Sequence, residues 1–180
     1  SLIEIAESGR ASSIGVSNFE IEDLQQLLDE TGVVPAVNQI ELHPLHQRRE
    51  LAAFCAEHGI AIEAWGPLAQ GKSDLFERPE IARAAEAHGR TPAQVVLRWH
   101  IQQGRIVFPK TLRRERMVEN AQLFDFELSA EEMAGIDSLE AGKNFGPDPR
   151  PLAARCGSWR PRSNGKPSTA APSTRGSRST

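Results

Sequence analysis

The sequence contains no tyrosine, only two cysteines among its 180 residues, and no apolar run near the ~20 residues that span a bilayer. Two cysteines, Cys55 and Cys156, cannot build a disulfide framework, so a reducing, cytoplasmic setting is expected. The missing apolar run excludes a membrane-spanning helix, and the opening residues lack the charged-then-apolar pattern of a signal peptide. Without tyrosine, no step that needs a phenol can be supplied by this chain. Basic charge is scarce over most of the length: residues 1–145 hold 14 Lys/Arg against 23 Asp/Glu. That balance argues against a nucleic-acid partner.

The remaining 35 residues have a different character. From 146 to 180 there are six Pro, six Ser, four Gly and six Arg, with seven Lys/Arg against one Asp. Such a segment has too little apolar surface to offset the entropy of ordering it, so a disordered tail is expected after a single domain over 1–145.

Within 1–145 the pattern alternates strand and helix. Ser12–Ser17 reads as a short strand, and Ser17 with Glu20 as a capping box opening a helix striped by Ile21, Leu24, Leu27 and Leu28. Gly32 ends that helix. Ala36–Glu41 is the second strand, followed by a helix with Leu51, Phe54, Cys55 and His58 on one face. Ile60–Trp65 is the third strand. Helices are predicted at Pro79–His88, from Thr91-Pro92 to Gly104, at Arg113–Leu123, and after the Ser129/Glu132 cap, with a fourth strand at Ile106–Phe108. Four β-then-α units imply parallel strands, apolar on both faces and covered by helices. They suit an open sheet or half of a (β/α)8 barrel. Polar residues gather past the strand ends, at Ser17-Asn18, Gln39, Trp65 and Lys110-Thr111, where ligands of parallel α/β folds bind.

Three patterns suggest chemistry. Gly66–Ser73 fits the phosphate-binding G-x-x-x-x-G-K-[ST], yet Pro67 removes one backbone donor and Pro79 prevents a long helix from starting at Lys72-Ser73. His43, His46, Cys55 and His58 have spacings compatible with zinc, but Cys55 lies on an apolar stripe and His58 at a helix end, so no metal site is expected. The third pattern is Phe108-Pro109-Lys110-Thr111 followed by Arg116, Glu119 and Asn120. There an ammonium, a hydroxyl, a guanidinium and a helix N-terminus converge on one anion.

These segments together are recognisable. Ile14-Gly15-Val16-Ser17-Asn18-Phe19, Asn38-Gln39-Ile40-Glu41-Leu42-His43-Pro44, Ala64-Trp65-Gly66-Pro67-Leu68, and Phe108-Pro109-Lys110-Thr111 through Asn120 resemble the aldo-keto reductases in order and spacing over roughly Ser1 to Pro149. Trp65 resembles the prokaryotic 2,5-diketo-gluconate reductase branch. The resemblance implies a (β/α)8 TIM barrel that binds NADPH and reduces an aldehyde or ketone to an alcohol. It assigns Ser17, Asn18 and Gln39 to the nicotinamide carboxamide and Trp65 to stacking on the ring. Gly66, Pro67, Leu68 and Gln70 fall along the pyrophosphate. Lys110, Thr111 and Arg116 clasp the 2′-phosphate beside Phe108 and Leu112, and Glu119 and Asn120 contact the adenine.

The departures are equally informative. The family's Tyr, Lys, Asp and His come from its first four strands, and the resemblance places the start of this sequence in the helix after the fourth. The expectation is therefore the carboxyl-terminal half of the barrel, holding cofactor but not the catalytic tetrad. Four strands alone should leave the barrel-facing sides of Ile14, Val16, Val37 and Val107 without half their partners, so self-association or a missing amino-terminal half is expected. Alternatives are an inactive dinucleotide-binding or structural half-barrel and, least favoured by the residues, a P-loop NTPase.

Overall fold

A computed structural model of the chain describes residues 1–147, which form one compact unit. Gly146 and Pro147 belong to that unit; the rest of the expected tail lies outside the described residues.

The elements run α1 (Leu2–Glu7), β1 (Val16–Ser17), α2 (Ile21–Thr31), β2 (Val37–Glu41), α3 (Arg49–Glu57), β3 (Ala61–Trp65), α4 (Pro79–His88), α5 (Pro92–Gln102), β4 (Ile106–Val107), α6 (Arg114–Ala121) and α7 (Ala130–Asp137). The four strands pair in parallel in the order β1-β2-β3-β4. Sequence order and spatial order coincide, as in one arc of a barrel wall.

Local signals explain most boundaries. Thr91 and Ser129 accept from the backbone N–H three residues on, and Gln94 and Glu132 reciprocate. Each such cap contributes about 1 kcal/mol. Pro79 and Pro92 occupy first-turn positions, and Gly32 closes α2 with φ +67°.

Most boundaries fall within two residues of expectation, and two differ by more. Strand pairing in β1 is confined to Val16 and Ser17, although Ala36 N–H still donates to Ile14 O at 2.8 Å. The cap of α2 is Glu20, whose N–H donates to Asp23; the Ser17 hydroxyl donates across the sheet to Gln39 O at 3.0 Å. Helix α1, which the strand-and-helix reading passed over, is capped by Ser1 and Glu4 in the same S-x-x-E pattern.

The sheet is not apolar on both faces. Alternation along the strands sends Val16, Ile40, Ile62, Ala64 and Val107 to the face packed by α2, α3, α4 and α5, where Leu24, Leu51, Cys55, Ile81, Val95 and Trp99 complete the core. The opposite face carries Val37, Gln39, Ala61, Glu63 and Trp65, all half-buried; with Ser17, Gln39 and Glu63 in one row it is the more polar of the two. Val16 and Val107 thus pack beneath the helices, contrary to expectation, while Val37 lies on the open face through its alternation with Asn38. Asn38, fully buried on the helix side, is tied to Phe19 through both amide ends and so fixes the turn after β1.

Candidate functional site

The carboxyl ends of the strands set the site. Register places Ser17 beside Gln39 and Gln39 beside Glu63, in one row across the polar face. Asn18 follows with φ +58°, a left-handed conformation that asparagine tolerates better than most residues. Its N–H donates to Gln39 O at 2.8 Å, and its Oδ1 accepts the Trp65 indole N–H at 3.0 Å. The Gln39 amide donates through Nε2 to the Glu63 carboxylate. Ser17, Asn18, Gln39 and Trp65 are therefore joined in one cluster.

Past Trp65 the chain turns sharply, with positive φ at Gly66, Ala69, Gln70 and Gly71. No α-helix opens at Lys72-Ser73. A short 3₁₀ turn occupies Leu75–Glu77, and Lys72 donates to Phe145 O at 3.4 Å. That geometry does not aim successive N–H groups at a phosphate chain as a P-loop must.

This loop forms one wall of a cleft of about 580 Å³. Gly66, Pro67, Leu68, Gln70 and Gly71 face Phe76, Phe108, Pro109, Lys110 and Arg116 across it. Phe108, in its lining, is 61% exposed, and Leu112, outside the lining, is 92% exposed. Thr111 uses its hydroxyl to accept from Arg113 N–H at 3.2 Å, shaping the approach to α6. Glu119, on α6, is turned toward the start of α5, where it accepts from the Thr91 hydroxyl at 2.6 Å, and Asn120 beside it on α6 is half-buried. Lys110 and Arg116 thus share the cleft, whereas Glu119 is engaged elsewhere.

Sequence reading missed a second cluster at the same edge. Glu41, at the end of β2, is only 5% exposed, and its carboxylate accepts the N–H groups of Phe145 at 2.7 Å and Gly146 at 3.0 Å. A Cβ at Gly146 would collide with the Trp65 ring, so glycine is required there. His43 packs on Phe145 with Nε2 3.4 Å from Glu41, and burial pushes its pKa down against the pull of that carboxylate. His46 is held low mainly by burial and by Arg48. The two histidines are joined through backbone bonds, Cys55 is buried in the helix core, and His58 rests on Phe54. Among the described residues no cluster of three or more His, Cys, Asp or Glu could hold a metal ion, and no helix is long and apolar enough to cross a membrane.

A family model described as the aldo/keto reductase family matches residues 1–141. The chain is 57% identical over 146 residues to an aldo-keto reductase of Mycolicibacterium smegmatis, covering 81% of this chain and 52% of that protein. It is 49% identical over 148 residues to methylglyoxal reductase DkgA of Escherichia coli, covering 82% and 54%. Among solved structures, a mutant of Gox0644 in complex with NADPH superposes with a TM-score of 0.78 at 48% identity, covering 83% of this chain and 55% of that one. The chain spans about half the length of the curated relatives it matches.

Proposed function

This chain belongs to the aldo/keto reductase family, and we propose that it is the NADPH-binding, carboxyl-terminal half of a (β/α)8 barrel that reduces an aldehyde or ketone to an alcohol. The observation that carries this reading is the continuity of the edge. The Ser17/Asn18/Gln39/Trp65 cluster leads directly into the cleft where Lys110 and Arg116 stand opposite the Gly66–Gly71 loop.

The residues fit a pyridine dinucleotide. Trp65 offers a flat ring held by Asn18, a surface on which a nicotinamide stacks. Asn18 Nδ2 and Gln39 Oε1 have no partner among the described residues, leaving a donor and an acceptor for a carboxamide. Lys110 and Arg116 supply cations for a 2′-phosphate, the feature that separates NADPH from NADH. Thr111, Leu112, Glu119 and Asn120 complete the clasp and adenine end in this reading, with Glu119 turning from Thr91 to do so. Bound NADPH would supply the hydride. The chain's own part is to fix which ring face is presented, to exclude water along the Gly66–Gly71 wall, and to neutralise the phosphate. With no tyrosine in the sequence, the phenol acid that the resemblance implies would have to be supplied from outside it. Methylglyoxal reductase DkgA, named for a small dicarbonyl, makes a compact aldehyde a sensible first substrate to try.

Titration of the 180-residue chain with NADPH, followed by tryptophan fluorescence, tests the reading. Saturable quenching that disappears in Trp65→Leu is expected. Absence of any quenching, or quenching unchanged in that variant, would overturn it.

A further inference from the structure

Glu63 lies on the polar face one strand away from Gln39, directly in register with it, and it was not among the residues the sequence singled out. Its carboxylate has only acceptor atoms, so the Gln39 group bonded to it must be the NH2 end of the amide. The Trp65 indole N–H has only a proton to give, so the Asn18 atom bonded to it at 3.0 Å must be the carbonyl oxygen. Side-chain amides can ordinarily present either end by a half-turn. Here neither can turn without leaving a half-buried carboxylate or indole N–H unpaired.

We propose that Glu63 and Trp65 are positioning residues that lock the two amides in opposite senses, so that the site offers NH2 from Asn18 and C=O from Gln39. A primary carboxamide satisfies both at once, accepting from Asn18 and donating to Gln39; a methyl ketone in its place satisfies one. Ser17 supports the arrangement by spending its hydroxyl proton on Gln39 O at 3.0 Å, which holds the backbone of that residue in place. This inference rests on the dinucleotide reading for its ligand, but the locked polarity is a property of the free chain.

The test has two arms. In ¹⁵N spectra of the unliganded 180-residue chain, Glu63→Ala should move the Gln39 side-chain NH2 signals, and Glu63→Gln, which keeps an acceptor oxygen, should largely restore them. Asn18→Leu should likewise move the Trp65 indole N–H signal. Signals that stay put in Glu63→Ala and Asn18→Leu would overturn the proposal. In the second arm, calorimetry compares NADP⁺ with its 3-acetylpyridine analogue, which replaces the carboxamide NH2 by CH3. The unmodified chain should favour NADP⁺ about 3- to 10-fold, the range of one lost hydrogen bond. Glu63→Ala should shrink that ratio below about twofold and Glu63→Gln should recover it. An undiminished ratio in Glu63→Ala would contradict the lock. If NADP⁺ does not bind at all, the dinucleotide reading falls, and the spectra alone decide the polarity.

Discussion

Arg116 and Lys72 are both exposed cations near the same loop, and their surroundings assign them opposite importance. Arg116 lines the cleft with Lys110, so Arg116→Ala removes a charge-assisted hydrogen bond worth ~1.5–3 kcal/mol to a bound 2′-phosphate. NADPH affinity should fall ~10–100-fold while NADH affinity hardly changes, as measured by parallel titrations. Lys72 reaches Phe145 O and, among the described residues, no other acceptor, so Lys72→Ala should leave nucleotide affinity within about twofold. Magnesium-dependent ATP binding lost in that variant would restore the P-loop alternative. That Lys110 and Arg116 would share a cleft was legible because family spacing fixes them. Glu63 and Glu41 were not: their partners are 24 and 104 residues away, joined by register and by the return of the chain past α7. Glu63 could have been found by writing the parallel register out, since it stands level with Gln39.

Helix and strand boundaries were legible where a cap or a proline acts within four residues. The Thr91-Pro92, Ser129/Glu132, Pro79 and Gly32 signals all mark real ends. Ser17 misled because its hydroxyl found a carbonyl on the next strand, a choice no local pattern records. The chain runs close to β2 at Gly15, just before β1, where a Cβ would come within 2.5 Å of the Val37 side chain. Gly15→Ala should therefore destabilise the chain by roughly 1–3 kcal/mol, read as a lower denaturation midpoint. Helix α5 carries a pH dependence. His100 is fully buried, with Arg105 nearby and Nε2 3.3 Å from Pro67 O, and its pKa is pushed down to about 3 by burial first and Arg105 second. The unfolded imidazole takes a proton near 6.5, whereas the folded one does so only near 3. Stability is thus fully present above about pH 6.5 and declines below it by ~1.4 kcal/mol per pH unit from this group. His43 and His46, also held low by burial, add to the slope in the same sense. His100→Gln should flatten the slope between pH 6 and 4 by about one proton, measured by denaturant titration at several pH values.

Across the described residues, four parallel strands in sequential order, helices on one face and a more polar, half-buried face on the other describe a wall rather than a closed vessel. Strands β1 and β4 each pair with a neighbour through two residues, and each has one side free of strand partners among the described residues. Such edges recruit other strands, so sedimentation of the purified chain should show dimers or larger species. Carbonyl reduction should be absent from the chain alone, because the tyrosine acid that the family resemblance implies is not in it. The most direct measurement is calorimetric titration of the 180-residue chain with NADPH and with NADH, side by side with Arg116→Ala. NADPH binding preferred by about tenfold or more, with the preference abolished in the variant and NADH unaffected, is the predicted result. Equal affinity for the two cofactors, or equal weakening of both in Arg116→Ala, would contradict it.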